Sequence, residues 1–458
     1  MGKYFGTDGF RGEAGVRLTA EHAYKIGRFL GWYYSKNDSH KVKVVVGKDT
    51  RRSSYMFEYA IVAGLTASGA DAYMLHVTTT PSVSYVTVGD DFDCGVMISA
   101  SHNSFEDNGI KLVNSKGEKI DDETIEKIEA YLDGKFDALS IPSTDIPFAT
   151  GENVGKIIDY SAGRNRYIGY LISISRYSFK GFKVGLDCAN GSSWMIAKSV
   201  FEALGAKVYA IGISPDGTNI NRDVGSTHIE HLAEFVKENA LDIGFAFDGD
   251  ADRCIAVDER GEVINGDHIL YILAKEMKAN GQLANNTVVT TIMSNMGLYL
   301  AFDAEGIEYV STKVGDRYVY ENMQSTGNCL GGEQSGHVII RKYATTGDGI
   351  LTAIKVMEAV VGSKLPLSKI AEDVKMLPQV LKNVKVSDKN LVMTNDNILR
   401  RVDEISEKLS GKGRILLRES GTEPVIRVMV EAESIDDCKN YTDEVAALIV
   451  DLGLCGQE

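Results

Sequence analysis

The chain has 458 residues and a formal net charge of −15 at pH 7. This length exceeds what one hydrophobic core normally supports, so the sequence predicts several domains. The acidic balance argues against nucleic acid as a general partner. The six cysteines form no C-x-x-C pair, which is typical of reduced thiols in a cytoplasmic protein. No apolar run reaches the length of a membrane span, so no membrane partner is expected.

Strand and helix patterns alternate along the first part of the chain, which predicts α/β layers. Thr19 is a candidate N-cap for a helix whose apolar residues recur at helical spacing. The apolar runs 43–47 and 95–98 each predict a buried strand. A stretch over 133–155 carries two of the seven prolines together with glycines, and we interpret it as a linker.

The later elements continue the same alternation. A helix over 160–173 and a strand over 183–187 begin a second unit. A third unit follows the turn predicted at 258–261, and a fourth opens with an edge-like strand over 380–386. The chain closes with a helix for which Ser434 is the predicted cap.

The most informative stretch follows the strand predicted at 95–98, where Ser101 and His102 stand among small and polar residues that lead to Lys111. A serine at a strand end, among polar groups and followed by a lysine, is placed like a phosphoryl carrier or a nucleophile. The alternative is a polar loop between a strand and a helix, capped by serine and asparagine. For the serine–histidine–asparagine triplet alone that alternative is the better interpretation, and three further segments change the balance.

The second segment is an acidic loop after the strand predicted at 241–247. Asp248, Asp250 and Asp252 alternate with small residues and end at Arg253. Carboxylates so close together repel one another unless a cation lies between them, and oxygen ligands suit Mg²⁺ or Ca²⁺. An EF-hand is rejected because Arg253 stands where that loop requires glycine. A solvated acidic turn is the remaining alternative, although Arg253 is well placed to meet a phosphate beside a metal.

The third segment, over 331–337, combines glycines with Glu333, Ser335 and His337. If it is extended, Glu333 and Ser335 share one side and suit vicinal hydroxyls of a ligand. His337 is a candidate general acid or base near neutral pH. The alternative is a glycine turn with a surface histidine.

The fourth segment follows the strand predicted at 415–417 and carries Arg418 and Arg427. Two arginines, two hydroxyls and a glycine suit a phosphate cradle made of side chains and backbone N–H groups. The other members of this cradle are Ser420, Gly421 and Thr422. A polar hairpin is the alternative, and the coincidence of four such segments near predicted strands disfavours it.

Taken together, these segments resemble the α-D-phosphohexomutase superfamily over essentially the whole chain, from the run FGTDGFRG at 5–12 to Arg427. The sequence GEQSGH at 332–337 and the segment 312–317 are similar to the glucosamine branch of that superfamily. One departure is Ser104, which replaces the proline that usually follows the serine–histidine–asparagine triplet.

The resemblance implies four domains around a central cleft. Three are related α/β units with mixed sheets, and the fourth is a smaller C-terminal α+β domain. We expect, in chain order, a phosphoserine-loop domain, a metal-binding domain, a sugar-binding domain and a phosphate-binding domain, over residues 1–153, 154–256, 257–372 and 373–458.

The resemblance also implies roles for individual residues. Ser101 would be the phosphorylated serine, and the three aspartates would bind Mg²⁺ together with a phosphate oxygen on Ser101. Lys111 and His337 match candidate general acid/base positions, Arg11 would lie near the phosphoserine, and Lys313 would line the cleft. Glu333 and Ser335 would hold the sugar hydroxyls. The residues expected to bind the non-reacting phosphate are Arg418, Ser420, Gly421, Thr422 and Arg427.

The activity that the resemblance implies is interconversion of glucosamine 6-phosphate and glucosamine 1-phosphate, towards UDP-N-acetylglucosamine. A hexose 1,6-bisphosphate would be both intermediate and activator, and a homodimer is a further expectation from the superfamily. Three alternatives stay open: the same chemistry on glucose or mannose phosphates, a serine-dependent sugar phosphatase, and a non-catalytic phosphosugar sensor. The second phosphate cradle argues against the phosphatase, and the presence of all the reacting groups argues against the sensor.

Overall fold

The computed structural model describes residues 2–36, 40–139, 141, 145–419 and 424–455. Contacts divide the chain into a first unit, Met1–Met293 with Ile307–Glu372, and a second unit, Ser294–Gly306 with Asp373–Glu458. In the part of the chain that the structure describes, no helix combines the length and the apolarity that a membrane span requires.

The first sheet lies in the first unit and has six strands in the order β1-β5-β4-β2-β3-β6. The strands are β1 (Phe10–Glu13), β2 (Lys43–Lys48), β3 (Asp71–Val77), β4 (Cys94–Ile98), β5 (Asp107–Asn114) and β6 (Ile157–Asp159). β5 runs antiparallel to β1 and β4, whereas β4, β2, β3 and β6 are parallel. Ser101 therefore lies in a connection between two antiparallel strands, and the alternative of a strand-to-helix loop is wrong.

The helices of this part of the chain are α1 (Ala20–Ser35), α2 (Arg52–Ala67), α3 (Thr80–Gly89), α4 (Asp122–Leu132) and α5 (Ser161–Ser173). The cap predicted at Thr19 is confirmed, because its side chain accepts a hydrogen bond from the His22 N–H. In return, Nδ1 of the His22 ring accepts a hydrogen bond from the Thr19 N–H. α1 and α2 pack so closely that a Cβ on Gly27 would lie 2.2 Å from the Ile61 carbonyl oxygen. Glycine is thus required where these helices touch.

The second sheet positions the acidic loop. Its strands are β7 (Lys183–Asp187), β8 (Lys207–Ile211), β9 (Ile243–Phe247), β10 (Cys254–Val257) and β11 (Val263–Ile264), and its helices are α6 (Ala197–Ala203) and α7 (Ile229–Glu238). The order is β11-β10-β9-β7-β8, with β9, β7 and β8 parallel and β10 antiparallel to β9. Every residue of β9 is buried, so this strand fixes the start of the loop that carries Asp248.

The third sheet contains β12 (Thr287–Thr291), β13 (Glu308–Thr312), β14 (Leu330–Gly332) and β15 (Val338–Ile340), in the order β13-β12-β14-β15. The helices from here to the end of the first unit are α8 (Gly266–Ala279), α10 (Asp316–Thr326), α11 (Gly349–Ser363) and α12 (Leu367–Ile370), while α9 (Met296–Glu305) belongs to the second unit. β14 and β15 form an antiparallel hairpin. The tip of this hairpin carries the segment with Glu333, Ser335 and His337.

Short 3-10 helices occur at Asp137–Leu139, Gly151–Asn153, Ser192–Met195 and Ala284–Asn286.

The second unit has a three-stranded antiparallel sheet in the order β16-β18-β17. Its remaining elements are β16 (Gln379–Lys385), α13 (Lys389–Met393), α14 (Asp396–Leu409), β17 (Gly413–Glu419), β18 (Val425–Ala432) and α15 (Ile435–Asp451). β16 is an edge strand, as predicted, and Ser434 caps α15 by accepting the Asp436 N–H at 3.2 Å. Ile398, Ile405, Val428 and Ile449 are among the residues of its buried core.

Three mixed α/β sheets and a smaller C-terminal domain are thus present, as the sequence predicted for the fold class. The predicted domain boundaries stay predictions. β6 pairs with β3 in the first sheet although it lies just beyond the boundary expected at 153, and β11 pairs with β10 beyond the one expected at 256.

Candidate active site

Ser101 is buried, with 1% of its surface exposed, in the turn that follows β4. Its hydroxyl donates a hydrogen bond to Oδ2 of Asp248, and Nδ1 of His102 lies 3.3 Å from the same hydroxyl oxygen. The backbone of Ser101 is left-handed, with φ at 55°. That conformation costs a non-glycine residue roughly 1–2 kcal/mol, so the surrounding structure must hold it.

The acidic loop brings three buried carboxylates together. Ligand oxygens of Asp248, Asp250 and Asp252 all lie within 4.8 Å of one another. Within the described residues, Oδ1 of Asp250 and Oδ1 of Asp252 are buried and have no hydrogen-bond partner. Unpartnered buried carboxylate oxygens are costly, and a hard divalent cation such as Mg²⁺ prefers an all-oxygen donor set of this kind. The three residues therefore fit a magnesium site, and a solvated acidic turn does not describe them.

The three carboxyls are not electrostatically equivalent. Burial, followed by the charges of Asp252 and Asp250, raises the pKa of Asp248 well above its ordinary value. Burial also tends to raise the pKa of Asp252, but the charge of Lys111 and the nearby His337 ring hold that pKa well below its usual range. In the metal-free protein Asp248, the carboxyl that faces Ser101, therefore binds a proton more readily than Asp252 does.

Lys111 lies on β5, opposite Met97 of β4. Its Nζ donates to Oδ2 of Asp250 at 2.8 Å and to Oδ2 of Asp252 at 3.2 Å, and it lies 3.2 Å from Oδ2 of Asp8. Burial tends to lower the pKa of Lys111, but these carboxylates outweigh it and hold the pKa well above its ordinary value. Lys111 is therefore a cation that competes with a metal for the same carboxylates.

Two arginines carry positive charge near His102, the residue that follows Ser101. Arg11, on β1, pairs with Asp8, and its own Nε is buried without a hydrogen-bond partner in the part of the chain that is described. The backbone N–H of Arg253 donates to Oδ1 of Asp248 at 3.2 Å. Burial, followed by the charges of Arg253 and Arg11, lowers the pKa of His102 to about 4. The imidazole next to the Ser101 hydroxyl is therefore neutral at neutral pH, among positive charges suited to a phosphoryl group.

His337 is buried, so the alternative of a surface histidine is wrong. Its Nδ1 lies 3.7 Å from Oδ1 of Asp252, its Nε2 lies 3.5 Å from Oδ2 of Asp316, and the Gly347 N–H donates to Nε2 at 3.0 Å. Burial lowers the pKa of His337, but the carboxylates of Asp252, Asp316 and Glu333 raise it to about 9. The Gly347 bond needs a free lone pair and favours the neutral ring, whereas charged partners are stronger and favour imidazolium. Each protonation state thus has a partner, which suits a group that exchanges a proton.

The segment with Glu333 and Ser335 is a tight turn. The Gly336 N–H donates to the Glu333 carbonyl oxygen at 3.0 Å, so the segment is the glycine turn of the alternative interpretation and not the extended form in which Glu333 and Ser335 would share one side. Oε1 of Glu333 accepts the Gly315 N–H at 3.1 Å, and Oγ of Ser335 is buried with no hydrogen-bond partner among the described residues. Lys313 lies just after β13 and is exposed. Sugar binding by these residues stays a prediction.

In the second unit, Arg418 of β17 and Arg427 of β18 lie directly opposite each other in the antiparallel register. Like charges opposed in this way destabilise a sheet, and a bound anion relieves the repulsion. Burial, followed by the Arg427 charge, lowers the pKa of Arg418, whose Nε is buried without a partner in the described part of the chain. The pair therefore suits a phosphate, and the predicted members Ser420, Gly421 and Thr422 lie outside the described residues.

Sequence reasoning gave no role to several residues that the structure brings to the site. Asp8 contacts both Arg11 and Lys111, and Lys119 bridges Asp8 at 3.1 Å and Asp316 at 2.8 Å. Asp8 and Asp316 stand inside the segments 5–12 and 312–317, so the motifs contained the signal. For Lys119 the sequence offered no comparable signal, because its partners are far away along the chain.

Comparison with known proteins agrees with this architecture along the whole chain. The phosphoglucomutase/phosphomannomutase alpha/beta/alpha domains I, II and III match residues 2–137, 165–261 and 265–377, and the C-terminal domain of that family matches 381–448. A protein of Lachnospira eligens named phosphoglucosamine mutase is 62% identical over 454 residues, which cover 99% of each chain. A protein of the same name from Bacillus cytotoxicus is 48% identical over 449 residues, which cover 98% of each chain.

Among solved structures, a phosphoglucomutase/phosphomannomutase family protein of Burkholderia thailandensis superposes with a TM-score of 0.78 at 23% identity, covering 99% of this chain and 98% of the other. At this identity the match concerns the fold alone. The four domains are those of a phosphohexomutase. The chain belongs to the phosphoglucomutase/phosphomannomutase family, within the α-D-phosphohexomutase superfamily.

Proposed function

We propose that this chain is a phosphoglucosamine mutase, which interconverts glucosamine 6-phosphate and glucosamine 1-phosphate. The observation that carries the proposal is the hydrogen bond from the buried Ser101 hydroxyl to Asp248, one of three carboxylates that fit a divalent cation. The full-length relatives named phosphoglucosamine mutase support the choice of sugar.

In the proposed reaction Ser101 carries the phosphoryl group. The P–O bond at Oγ of phosphoserine 101 breaks as a new P–O bond forms to O1 of glucosamine 6-phosphate, which gives the 1,6-bisphosphate. After this intermediate reorients, Oγ takes the phosphoryl group from O6 and releases glucosamine 1-phosphate. Asp248, Asp250 and Asp252 would hold Mg²⁺, which when bound neutralises charge on the transferring group.

The remaining residues supply charge, proton transfer and orientation. Arg11 and Arg253 provide guanidinium groups for the phosphoryl oxygens. His337 is our candidate for the general acid or base: its imidazolium form would protonate the leaving oxygen, and its neutral form would accept the proton of the attacking sugar hydroxyl. Lys111 stays protonated, so we assign it to charge stabilisation or to protonation of the leaving oxygen. Glu333 and Ser335 would orient the sugar.

The opposed pair Arg418 and Arg427, with Ser420, Gly421 and Thr422, would bind the phosphate that is not transferred. A hexose 1,6-bisphosphate would prime the enzyme by phosphorylating Ser101. In the solved N-acetylphosphoglucosamine mutase of Aspergillus fumigatus, which has a TM-score of 0.71, 18% identity and coverage of 98% of this chain and 96% of that one, the complex contains GlcNAc-6P and magnesium. That complex supports a phosphosugar and Mg²⁺ as ligands. Dimerisation and a cytoplasmic location are further parts of the proposal.

The test is a mutase assay with Mg²⁺ and glucose 1,6-bisphosphate as primer. Glucosamine 1-phosphate formation is measured beside the corresponding reactions of glucose 6-phosphate and mannose 6-phosphate. We expect the highest kcat/KM on glucosamine 6-phosphate, complete loss of turnover in Ser101→Ala, and wild-type turnover in Ser115→Ala, which removes an exposed hydroxyl of the same domain. Preference for glucose or mannose phosphate would refute the sugar assignment, and steady release of inorganic phosphate would indicate a phosphatase.

A further inference from the structure

A buried ion pair lies directly behind the Ser101 turn. Asp49 and Arg51, in the connection between β2 and α2, are both fully buried, and Nε of Arg51 lies 2.8 Å from Oδ2 of Asp49. Asp49 also accepts hydrogen bonds from the hydroxyls of Ser54 at 2.6 Å and Ser99 at 2.7 Å. With its carboxylate saturated in this way, Asp49 holds the guanidinium of Arg51 in one orientation.

The other nitrogens of Arg51 bind the backbone of the Ser101 turn. Nη2 donates to the carbonyl oxygens of Ser101 and Asn103, each at 2.9 Å, and Nη1 donates to the carbonyl oxygen of Ser104. Three carbonyl groups of one short turn are therefore fastened to one rigid cation. One of these three carbonyl groups belongs to Ser104, the residue that replaces the more rigid proline.

Asn221, in the connection between β8 and α7, binds two of these carbonyl groups, those of Ser101 and Asn103. Nδ2 of Asn221 donates to the Ser101 and Asn103 carbonyl oxygens, both at 2.9 Å. Asn221 is itself buried and left-handed, with φ at 58°, and its N–H donates to the Ala189 carbonyl oxygen at 2.8 Å. Two donors that are far apart in sequence thus converge on one turn.

We propose that Arg51 and Asn221 are positioning residues that hold Ser101 in its left-handed conformation, so that its oxygen faces Asp248. The assignment rests on the proposed role of Ser101 as phosphoryl carrier. The serine oxygen has to occupy the same position before and after each transfer. That position requires a left-handed backbone at Ser101, which a serine disfavours, so other residues must hold it. The Arg51 charge is neutralised by Asp49, so its contribution is the geometry of the turn and not added positive potential at the reacting group.

Two substitutions test the proposal. Arg51→Lys keeps the charge beside Asp49 but removes the planar fork, and Asn221→Asp keeps shape and tolerance for positive φ but places an acceptor against two carbonyl oxygens. Arg28→Lys is the matched control, because Arg28 is also fully buried in this domain and donates to carbonyl oxygens such as that of Ala67 at 2.9 Å. All three proteins are measured for thermal unfolding, for amide exchange over residues 99–108, and for kcat and KM.

We expect both site variants to lose exchange protection over 99–108 and to lose about 10²-fold in kcat, with KM for the sugar phosphate within about twofold of wild type. Arg28→Lys should lose comparable stability while keeping its kcat. Wild-type protection over 99–108, or wild-type kcat, in both site variants would overturn the proposal. If Arg51→Lys does not fold, exchange over 99–108 and kcat of the isosteric Asn221→Asp variant test the proposal alone. If the wild-type protein turns over no sugar phosphate while the variants still loosen the turn, the proposed function fails and the holding of the turn stands.

Discussion

Replacing Lys111 tests the electrostatic balance of the acidic loop, because its ammonium contacts Asp250 and Asp252 of that loop and also Asp8. Replacing it in Lys111→Met removes the contacts to Asp250, Asp252 and Asp8, at 2.8, 3.2 and 3.2 Å respectively. The carboxylates then keep their mutual repulsion without the compensating charge. Breaking a buried ion pair by removing one partner costs about 3–5 kcal/mol. For a cooperative domain of about 150–250 residues, 3 kcal/mol lowers Tm by roughly 6–12 °C.

Mg²⁺ should reverse part of this loss, since a divalent cation supplies the missing charge. Lys111 also repels a metal bound to the same carboxylates, so its removal should tighten Mg²⁺ binding. A tenfold tighter Kd adds about 1.4 kcal/mol of stabilisation at saturating metal. The Tm increase between EDTA and excess Mg²⁺ should therefore be larger in Lys111→Met than in the wild type.

The assay is thermal unfolding of both proteins in EDTA and in a Mg²⁺ series. Lys48→Met is the matched control, because Lys48 is also buried and pairs with Glu58 of α2. Lys48→Met should have a lower Tm than the wild type, but its Tm increase between EDTA and excess Mg²⁺ should not be larger. An unchanged Tm of Lys111→Met in EDTA, or a Mg²⁺ response no larger than that of the wild type, would refute the electrostatic reasoning.

Three further predictions concern the same groups. A Cβ on Gly249 would lie 2.5 Å from the Ser101 carbonyl oxygen, so Gly249→Ala should displace the turn and lower kcat by about 10²-fold, and wild-type kcat would contradict this. Because the pKa of Asp248 is raised above 3.8, metal-free stability should fall as pH rises through that raised pKa, and Mg²⁺ affinity should rise over the same range. Calorimetry in buffers of different ionisation enthalpy should detect proton release, and its absence would count against the shift. Arg418→Gln should stabilise the protein by about 0.2–1 kcal/mol in the absence of anions, because it removes the repulsion between Arg418 and Arg427. The same variant should lose the Tm increase that inorganic phosphate causes in the wild type. An undiminished Tm increase would exclude Arg418 from the phosphate cradle.

Local features of the fold were predictable because their causes lie within a few residues. The strand over Cys94–Ile98 follows from an apolar run, and the caps at Thr19 and Ser434 follow from hydroxyls that precede helical patterns. β5 had no such signal. Its pairing with β1 and β4 depends on strands elsewhere in the chain, so the sequence was compatible with a helix after the Ser101 turn.

For the site, the sequence indicated the candidate residues but not the environment of each side chain. Alternating aspartates after a strand indicate a cation site from spacing alone. The glycine turn at 333–336 was one of the two interpretations that the sequence allowed, and Gly336 supports it with φ at 90°. The burial of His337 and the bonds from Arg51 to the Ser101 turn arise from residues that are ten or more positions apart, and local spacing does not encode such contacts.

The most direct measurement follows a labelled phosphoryl group from Ser101. Protein primed with ³²P-labelled glucose 1,6-bisphosphate is mapped by mass spectrometry and then mixed with glucosamine 6-phosphate and Mg²⁺ in a single turnover. We expect the label to reside on Ser101, to transfer to O1 of the sugar, and to appear in glucosamine 1-phosphate. Label on another residue, or label released only as inorganic phosphate, would contradict it.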